Sequence, residues 1–447
     1  MKERRLSVRN IRSCGAFVLF AALVGLSTPT GGQGSSPTAE DLFDNGVLQR
    51  IDLSINTRDF EKLKANFQEN DYYPVTIAWR GNTMRNAWAR SRGSGSRSGT
   101  KPGLRVDFNR NAAGAQEWLG LKSLILDNLK QDSSGMHEML ATRFFERMGI
   151  PAPHEAFAEL YVNNKFSGLY VVVEPVDKRF LARAFGKHED GNVENDGYLF
   201  EYKWKFPYLL TYLGPQLEQY KEILEAKTHE NESISTLYDP IFRMVREINE
   251  ARDDLFERNV SPYLDLHLFM RHVAIQSMLA EWDGLLGYAG LNNFYLYRFE
   301  KQTLSQFILW DADNTFRAID YSITAEHDTN VLMRQAMRIP ALRNTYFNVL
   351  LDAARSAEEY SDEEALSDKK LGLAPRGWLE REIDRLYAQI RPAMRNDTLK
   401  VFNNDDFEES IAYMRRFARE RGPYVRCEVT KITNPGKARS ACPAEEF

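Results

Sequence analysis

The chain has 447 residues, of which 43% are apolar and 27% are charged, and its net charge is −5. These values are ordinary for globular proteins and exclude a mostly disordered or collagen-like chain. A mean hydropathy of −0.48 and a single long apolar run exclude a protein with many membrane spans. Because acidic and basic residues nearly balance, we expect no nucleic acid among the partners. The length suggests two or three structural units.

Residues 1–32 have the pattern of a secretory signal peptide. Five basic residues within 1–12 precede the apolar run 14–26, and small and turn-forming residues follow. Thirteen apolar residues are fewer than the roughly 20 that a membrane-spanning helix needs. We therefore expect cleavage near residue 33 and a secreted, periplasmic or cell-surface protein without a stable membrane span. An uncleaved N-terminal anchor is the alternative.

Without that segment the chain has a net charge of −9 and two cysteines, Cys427 and Cys442. In an exported protein we expect these two cysteines to form one disulfide, which would close a short loop in the tail. Two unpaired thiols are the alternative. The cysteine spacing is not that of a metal site.

The first part of the remaining chain is predicted to be β-rich. Residues 33–46 are rich in Gly, Ser, Thr and Pro and are expected to form a flexible lead-in. Short alternating runs then predict strands at 49–55, 73–79, 104–108, 157–162 and 169–174. One helix is predicted over 133–148, with Ser133 or Ser134 as its cap. These elements form a predicted N-lobe over 47–175.

The second part is predicted to be mainly helical. Helical patterns fill most of 208–282 and resume later, and one predicted strand pair, 293–298 and 307–310, lies between them. We assign 176–420 to a helical C-lobe that holds this hairpin, and 421–447 to a tail. The predicted fold class is therefore α+β, with two lobes.

The densest group of polar side chains surrounds the predicted hairpin. Asp283 follows a helix at the start of a Gly-containing loop. Asn293 begins the first strand, and Asp311 and Asp313 follow the second. Since a hairpin brings these chain positions together, their oxygens are expected to converge, and such ligands suit Mg²⁺ or Mn²⁺ better than zinc. One carboxylate that orients a nucleophile, with an Asn and an Asp on metal, is the layout that kinases use for phosphoryl transfer.

Five blocks, in order over roughly residues 47–320, resemble the CotH kinase family, the spore-coat protein H-like atypical protein kinases. The blocks are 92–97 with Lys101 and the strand 104–108, the helix start at Asp132-Ser133, 166–170 with 174–177, 282–297, and 310–316. The resemblance implies a reduced protein-kinase-like fold. It also implies transfer of the ATP γ-phosphate to a protein hydroxyl, on Ser or Thr, with Mg²⁺ or Mn²⁺.

The same resemblance implies the roles of the residues around the hairpin. Asp283 would be the catalytic base. Asn293, with Asp311 or Asp313, would hold the metal. The protein substrate itself is not implied by any motif.

On the ATP side, the resemblance implies that Lys101 pairs with the phosphates. Arg92 and Arg97 would contact them from a loop that covers the nucleotide, and Glu174 is a further candidate. The chain departs from the family pattern in this loop, where a Gly separates two Ser residues, and at Arg317, where the family usually has Gly. These departures concern the phosphate contacts more than the base.

Two other functions are compatible with the sequence. Asp311 and Asp313, two residues apart after an apolar strand, also fit the nucleophile and acid/base of haloacid-dehalogenase-like phosphatases. That fold requires alternating strands and helices after the motif, whereas the residues after Tyr321 have helical patterns. The other alternative is a non-catalytic, CotH-like binding or surface-structural protein.

Overall fold

The computed structural model describes residues 37–110, 116–187, 191–437 and 442. The chain from Pro37 onward forms one α+β unit. Its strands are β1 (Gln49–Ile55), β2 (Tyr73–Trp79), β3 (Asn82–Arg92), β4 (Gly103–Asp107), β5 (Ser123–Asp127), β6 (Glu155–Val162), β7 (Lys165–Val173), β8 (Tyr198–Tyr202), β9 (Leu224–Ala226), β10 (Phe294–Arg298) and β11 (Ser305–Leu309). Its helices are α1 (Ala39–Leu42), α2 (Thr57–Ala65), α3 (His137–Arg147), α4 (Lys178–Phe185), α5 (Leu217–Ile223), α6 (Ile234–Glu250), α7 (Phe256–Val260), α8 (Leu266–Met278), α9 (Val331–Ala336), α10 (Pro340–Glu358), α11 (Asp362–Lys370), α12 (Trp378–Asn396) and α13 (Asn404–Thr433). None of the helices in these ranges is long and apolar enough to cross a bilayer.

The first seven strands form a closed barrel in the order β1-β2-β3-β4-β5-β7-β6. Neighbouring strands are antiparallel except β6 and β1, whose parallel pairing closes the barrel. Every second residue of β1 is buried, as expected for a strand with one face on a core. The interior is filled by large apolar side chains such as Ile51, Ile77, Trp79 and Val106.

The last four strands form an antiparallel sheet in the order β11-β10-β8-β9. β10 lies between two strands, and all five of its residues are buried. Phe294 pairs with Leu309, so the residue before β10 and the residues after β11 lie at the same end of the hairpin. The sequence predicted this hairpin but not β8 and β9, which join it in one sheet.

The lead-in differs from its prediction. Residues 37–46 include α1, which begins with a capping box between Thr38 and Asp41. Leu42 and Phe43 are buried in the same core as the barrel interior. This part of the chain is therefore fixed by apolar burial, although its composition is typical of a linker.

The boundary of the tail also differs. Residue 421 lies within α13, where the Arg421 side chain is buried and donates to the carbonyl groups of Ser277, Met278, Ile319 and Tyr321. The helix continues to Thr433. Cys427 of this helix forms a disulfide with Cys442.

The helix predicted from residue 133 begins later. The Asp132 carboxylate accepts hydrogen bonds from the N–H groups of Ser134 (2.8 Å) and His137 (2.7 Å). Gly135 between them has a φ of +68°. These bonds hold the chain in a turn, so that α3 starts only at His137.

A buried ion pair joins the segment before β4 to the end of α12. Lys101 Nζ donates to Asp397 Oδ2 (2.6 Å) and to the Leu169 carbonyl (2.7 Å). Asp397 also accepts from the Leu169 N–H (3.1 Å), and its side chain is fully inaccessible to solvent. Gly168 leaves room for this carboxylate, because a Cβ at that position would lie 2.4 Å from Asp397 Oδ2. The pair therefore connects the barrel to the C-terminal helices.

We predict that Asp397→Ala lowers the free energy of unfolding by about 3–5 kcal/mol, because it leaves the Lys101 ammonium buried without its partner. Urea denaturation followed by circular dichroism measures this change. The matched control is Asp52→Ala, which breaks an exposed ion pair with Arg50 and should leave stability nearly unchanged. The double variant Lys101→Met/Asp397→Leu should recover most of the loss. Equal effects of the two single aspartate variants would contradict a stabilising role for the buried pair.

Candidate active site

A cleft of about 760 Å³ contains most of the residues predicted for the site. It is lined by the loop after β3, the end of β8, the chain before β10 and the chain after β11. Six of the predicted residues line it: Arg92, Arg97, Asp283, Asn293, Asp311 and Asp313. The antiparallel hairpin brings the last three of these to one end of the sheet, as its register requires.

Asp283 is held at the cleft by two amides. Its Oδ2 accepts from Asn292 Nδ2 (3.2 Å) and Asn293 Nδ2 (3.3 Å). Burial raises the pKa of Asp283, and these two hydrogen bonds oppose the shift. Asn293 has a φ of +56°, which asparagine tolerates better than most residues. The result is a carboxylate of fixed orientation that is only partly withdrawn from solvent.

Glu281 forms a hydrogen bond with the backbone of Asp283. It is 6% exposed, and its Oε1 accepts from the Asp283 N–H (2.9 Å). Burial raises the pKa of Glu281 to about 8, and the charges of Asp283 and Asp311 add to the shift. Glu281 is therefore protonated near neutral pH.

Asp311 and Asp313 follow β11 directly. Burial raises the pKa of Asp311 to about 6, with Arg92 acting in the opposite direction. Burial and the charge of Asp311 raise the pKa of Asp313 well above its usual value. Asn314 Nδ2 donates to Asp313 Oδ1 (2.8 Å). The charge of Asp311 therefore makes the ionised form of Asp313 unfavourable unless a cation or a proton balances it.

Three further carboxylates that the sequence analysis missed interact with this group. Asp127 ends β5, Glu138 lies in the first turn of α3, and Glu155 begins β6. Burial and mutual repulsion raise the pKa values of Glu138 and Glu155. Both oxygens of Glu155 lack a hydrogen-bond partner among the described residues. In the sequence, Glu138 resembles an ordinary helix-start acid and Asp127 an ordinary strand end, so neither has a distinguishing signal.

This set of donors fits a hard divalent cation by its chemistry, because it offers carboxylate and amide oxygens. Within the described ranges, no three acidic, His or Cys side chains already stand in a metal-ligand arrangement. A bound cation would therefore have to draw these side chains together or take further oxygens from its substrate.

Arg97 lies in the loop after β3, where its side chain holds the backbone. Its guanidinium donates to the carbonyl groups of Gly93 (2.7 Å), Phe67 (3.1 Å), Gln68 (2.7 Å) and Glu69 (2.9 Å), and to Asn70 Oδ1 (2.6 Å). These bonds engage every nitrogen of the side chain. Arg97 therefore shapes the loop, and the structure gives no support for its predicted contact with phosphate.

The same loop has its carbonyl groups and its N–H groups in different environments. Lys130 Nζ donates to the Gly95 and Arg97 carbonyls (3.0 and 2.8 Å), and Asn128 Nδ2 donates to the Ser96 carbonyl (3.0 Å). The N–H groups of Ser94, Gly95 and Ser96 donate to no atom of the described chain. All three residues line the cleft. We call these three N–H groups the nest, because free N–H groups in a loop that lines a cleft can donate hydrogen bonds to an anion.

Arg92 is at the start of this loop and faces the carboxylates. Its NH1 lies 4.0 Å from Asp127 Oδ2, and its Cζ lies 5.3 Å from the centre of the Trp310 ring. The positive charge of Arg92 also lowers the pKa of Asp311. Arg92 is thus placed to contact a polyanion that binds between the nest and the carboxylates.

The structure does not bring Lys101 and Glu174 to the cleft. Lys101 forms the buried pair with Asp397 described above. Glu174 is 1% exposed and pairs with Arg179 (2.7 Å) and Arg183 (2.6 Å). Their predicted ATP contacts therefore have no geometric support. Both residues lie beside apolar runs in the sequence. This could have indicated that their charges are buried and paired within the chain instead of contacting ATP.

The antiparallel sheet argues against the phosphatase alternative. A haloacid-dehalogenase-like enzyme carries its two aspartates after a strand of a parallel sheet flanked by helices. Here β11 pairs antiparallel with β10, and the described residues after Leu309 contain helices and no strand. The arrangement of Asp311 and Asp313 therefore belongs to a different fold.

We predict that stability falls as pH rises from about 4.5 to 8, because Glu281 binds its proton more tightly in the folded chain. Glu281→Gln keeps an acceptor for the Asp283 N–H and removes this titration. Between pH 5 and 8 the loss of free energy of unfolding should be about 1–3 kcal/mol smaller in the variant than in the wild type. Urea denaturation at each pH measures it. The exposed control Glu230→Gln should follow the wild type, and parallel pH profiles for all three proteins would contradict the assignment.

The sequence comparisons with known proteins agree with the motifs. The sequence model of the family described as CotH kinase protein matches residues 89–425. Inner spore coat protein H of Bacillus subtilis (strain 168) is 25% identical over 382 residues, which cover 85% of this chain and 97% of that protein. A solved complex of HipA, HipB and operator DNA from Shewanella oneidensis MR-1 matches with a TM-score of 0.37 and 11% identity, over 85% of this chain and 73% of that one. That structural similarity is too weak to support an argument about function. Because the family match extends over most of its length, the chain belongs to the CotH kinase family.

Proposed function

We propose that this protein is a secreted atypical protein kinase, which transfers the ATP γ-phosphate to a Ser or Thr hydroxyl of a protein with the help of Mg²⁺ or Mn²⁺. One observation carries the proposal: an anion-binding nest, a group of desolvated carboxylates and an amide-oriented aspartate line the same cleft. Phosphoryl transfer needs these three elements together, to bind the nucleotide, to balance its charge and to orient the acceptor. In this proposal the barrel with α3 is the N-lobe of a kinase-like fold, and the chain from α4 is the C-lobe.

Asp283 is the base in this mechanism. Its carboxylate would accept the proton of the acceptor hydroxyl as the phosphoryl group is transferred. The hydrogen bonds from Asn292 and Asn293 hold one oxygen, so that the other can face the acceptor. The raised pKa of Asp283 makes it a better proton acceptor than an ordinary exposed carboxylate.

The nucleotide phosphates would lie between the nest and the carboxylates. The N–H groups of residues 94–96 and the Arg92 guanidinium supply hydrogen bonds to their oxygens. Asp311, Asp313 and Asn293 would hold the cation. The charges of Asp127 and Glu138 affect the pKa values in this group, so these two carboxylates would also interact with the cation. When bound, Mg²⁺ or Mn²⁺ neutralises charge on the transferred group.

We predict that two substitutions differ in kind. Asp283→Asn should keep metal-dependent ATP binding and lower phosphoryl transfer by at least about 10²-fold, the usual effect of losing a general base. Asp311→Asn should instead weaken the metal-dependent binding itself, since the cation loses a charged ligand. Radiolabelled transfer with Mg²⁺ or Mn²⁺ and calorimetric titration with a non-hydrolysable ATP analogue measure the two properties.

The matched control is Asp328→Asn, which changes an exposed aspartate that does not line the cleft and should behave as wild type in both assays. Circular dichroism checks that each variant is folded. Transfer by Asp283→Asn at the wild-type rate would refute the role of the base. If the wild-type protein binds no nucleotide with either metal, the family member is a non-catalytic binding or surface-structural protein.

Export is part of the proposal and is supported by the sequence pattern of 1–32 and by the disulfide between Cys427 and Cys442. The residues of the signal pattern lie outside the described ranges. We predict a mature protein that begins near residue 33 and has no free thiol after denaturation without reductant. N-terminal sequencing and thiol labelling of protein from the native host measure both. A chain that starts at Met1, or two reactive thiols, would contradict export.

A further inference from the structure

Three stacked side chains lie next to Asp283, and we call them the Trp282 platform: Arg317, Trp282 and Tyr288. The Arg317 Cζ lies 4.7 Å from the centre of the Trp282 ring. The ring centres of Trp282 and Tyr288 are 4.6 Å apart, with an interplanar angle of 31°. The Tyr288 N–H donates to the Trp282 carbonyl (3.0 Å). Since Trp282 directly precedes Asp283, the platform has a fixed position relative to the proposed base.

Both ends of the platform are open to solvent. Tyr288 is 62% exposed and lines the cleft beside Asp283. Arg317 is exposed, and its guanidinium donates to no hydrogen-bond acceptor and forms no ion pair within the described chain. Trp204 is a second exposed aromatic residue nearby (48%), and its Nε1 donates to the carbonyl of Ala289, next to Tyr288. Exposed aromatic rings around an unpaired arginine are the composition of a protein-binding surface.

The charge and shape of the guanidinium identify the chemistry of the partner. An arginine whose guanidinium lies over an aromatic ring can still bind a carboxylate with two hydrogen bonds, which its planar donors favour. The platform adjoins Asp283 on the side of Tyr288, and Arg317 itself does not line the cleft. Arg317 is therefore placed to contact the acceptor protein outside the reacting centre.

We propose that the Trp282 platform binds the acceptor segment and that Arg317 selects segments with an acidic residue near the phosphorylated hydroxyl. The inference rests on the proposed kinase function and adds the substrate class to it. The aromatic rings of Tyr288 and Trp204 contact the apolar parts of the segment. Arg317 pairs with its carboxylate. The Trp282 platform, which adjoins Asp283, therefore determines which amino-acid sequences around the acceptor hydroxyl are preferred.

Peptide binding tests this inference without requiring catalysis. The probes are labelled serine peptides in which one glutamate is moved along the chain, together with the same peptides carrying Gln or Lys at that position. Fluorescence anisotropy compares wild type, Arg317→Glu, Arg317→Lys and the control Arg343→Glu, which alters an exposed arginine of α10 away from the cleft. Because Arg317 is exposed, its substitutions should not affect folding.

We expect wild type to bind the best glutamate peptide about five-fold more tightly than its Gln counterpart, with a difference that shrinks at high salt. Arg317→Glu should reverse the preference toward the Lys peptide, and Arg317→Lys should keep part of it. The Arg343→Glu protein should match wild type. Equal binding of all peptides by wild type, or equal effects of the Arg317→Glu and Arg343→Glu variants, would overturn the inference.

Kinetic measurements separate this inference from the proposed function. Transfer of phosphate to all peptides at the same rate would agree with the proposed kinase function. It would contradict the selection of acidic segments by the platform. Selective binding without any transfer would keep the platform and refute the kinase. An increase in the KM for ATP in Arg317→Glu, with peptide preference unchanged, would show that Arg317 acts on the nucleotide and would also overturn the inference.

Discussion

Repulsion among desolvated carboxylates governs the cleft. Asp311 and Asp313 have pKa values raised by burial and by neighbouring acids, and Glu138 and Glu155 show the same effect. A chain gains nothing in stability by holding such groups together, so the scaffold must supply the energy. The barrel and the antiparallel sheet do so with large apolar cores, and the Lys101–Asp397 pair adds a buried connection from the barrel to the C-terminal helices. The apolar cores thereby hold these carboxylates near one another despite their repulsion.

The sequence predicted those residues of the site that lie close together along the chain. Asp283, Asn293 and the two aspartates after β11 belong to one hairpin, and hairpin pairing follows from short-range patterns alone. The same reasoning found most barrel strands, but not the parallel contact between β6 and β1, because its paired residues are 109 positions apart (Gln49 with Ala158) and leave no local signal of pairing. Glu138 and Glu155 were missed for the same reason. Each resembles an ordinary acid until the fold places it beside the others.

The basic residues of the loop after β3 show a second limit. From the sequence, Arg92, Arg97 and Lys101 are equivalent candidates for phosphate binding. In the structure, only Arg92 faces the carboxylates, whereas Arg97 binds backbone carbonyls and Lys101 binds a carboxylate 296 residues away. A loop that presents N–H groups to an anion must turn its carbonyls elsewhere, and those carbonyls need donors. A basic side chain in such a loop can therefore either face the anion or bind the carbonyl groups of the loop. The positions of those carbonyl groups determine which of the two a given side chain does.

The departure from the family pattern at Arg317 has a similar explanation. From the sequence, this departure concerned the predicted phosphate contacts more than the predicted base. In the structure its side chain lies over the ring of Trp282, the residue before Asp283, and it does not line the cleft that the nest borders. A glycine at that position would leave the Trp282 face uncovered and uncharged. In the proposed kinase, Arg317 therefore changes the surface that the acceptor protein meets and leaves the nest and the carboxylates as they are. In the proposed mechanism the transfer depends on those groups and on Asp283, so substrate preference can vary at position 317 while the reaction stays the same.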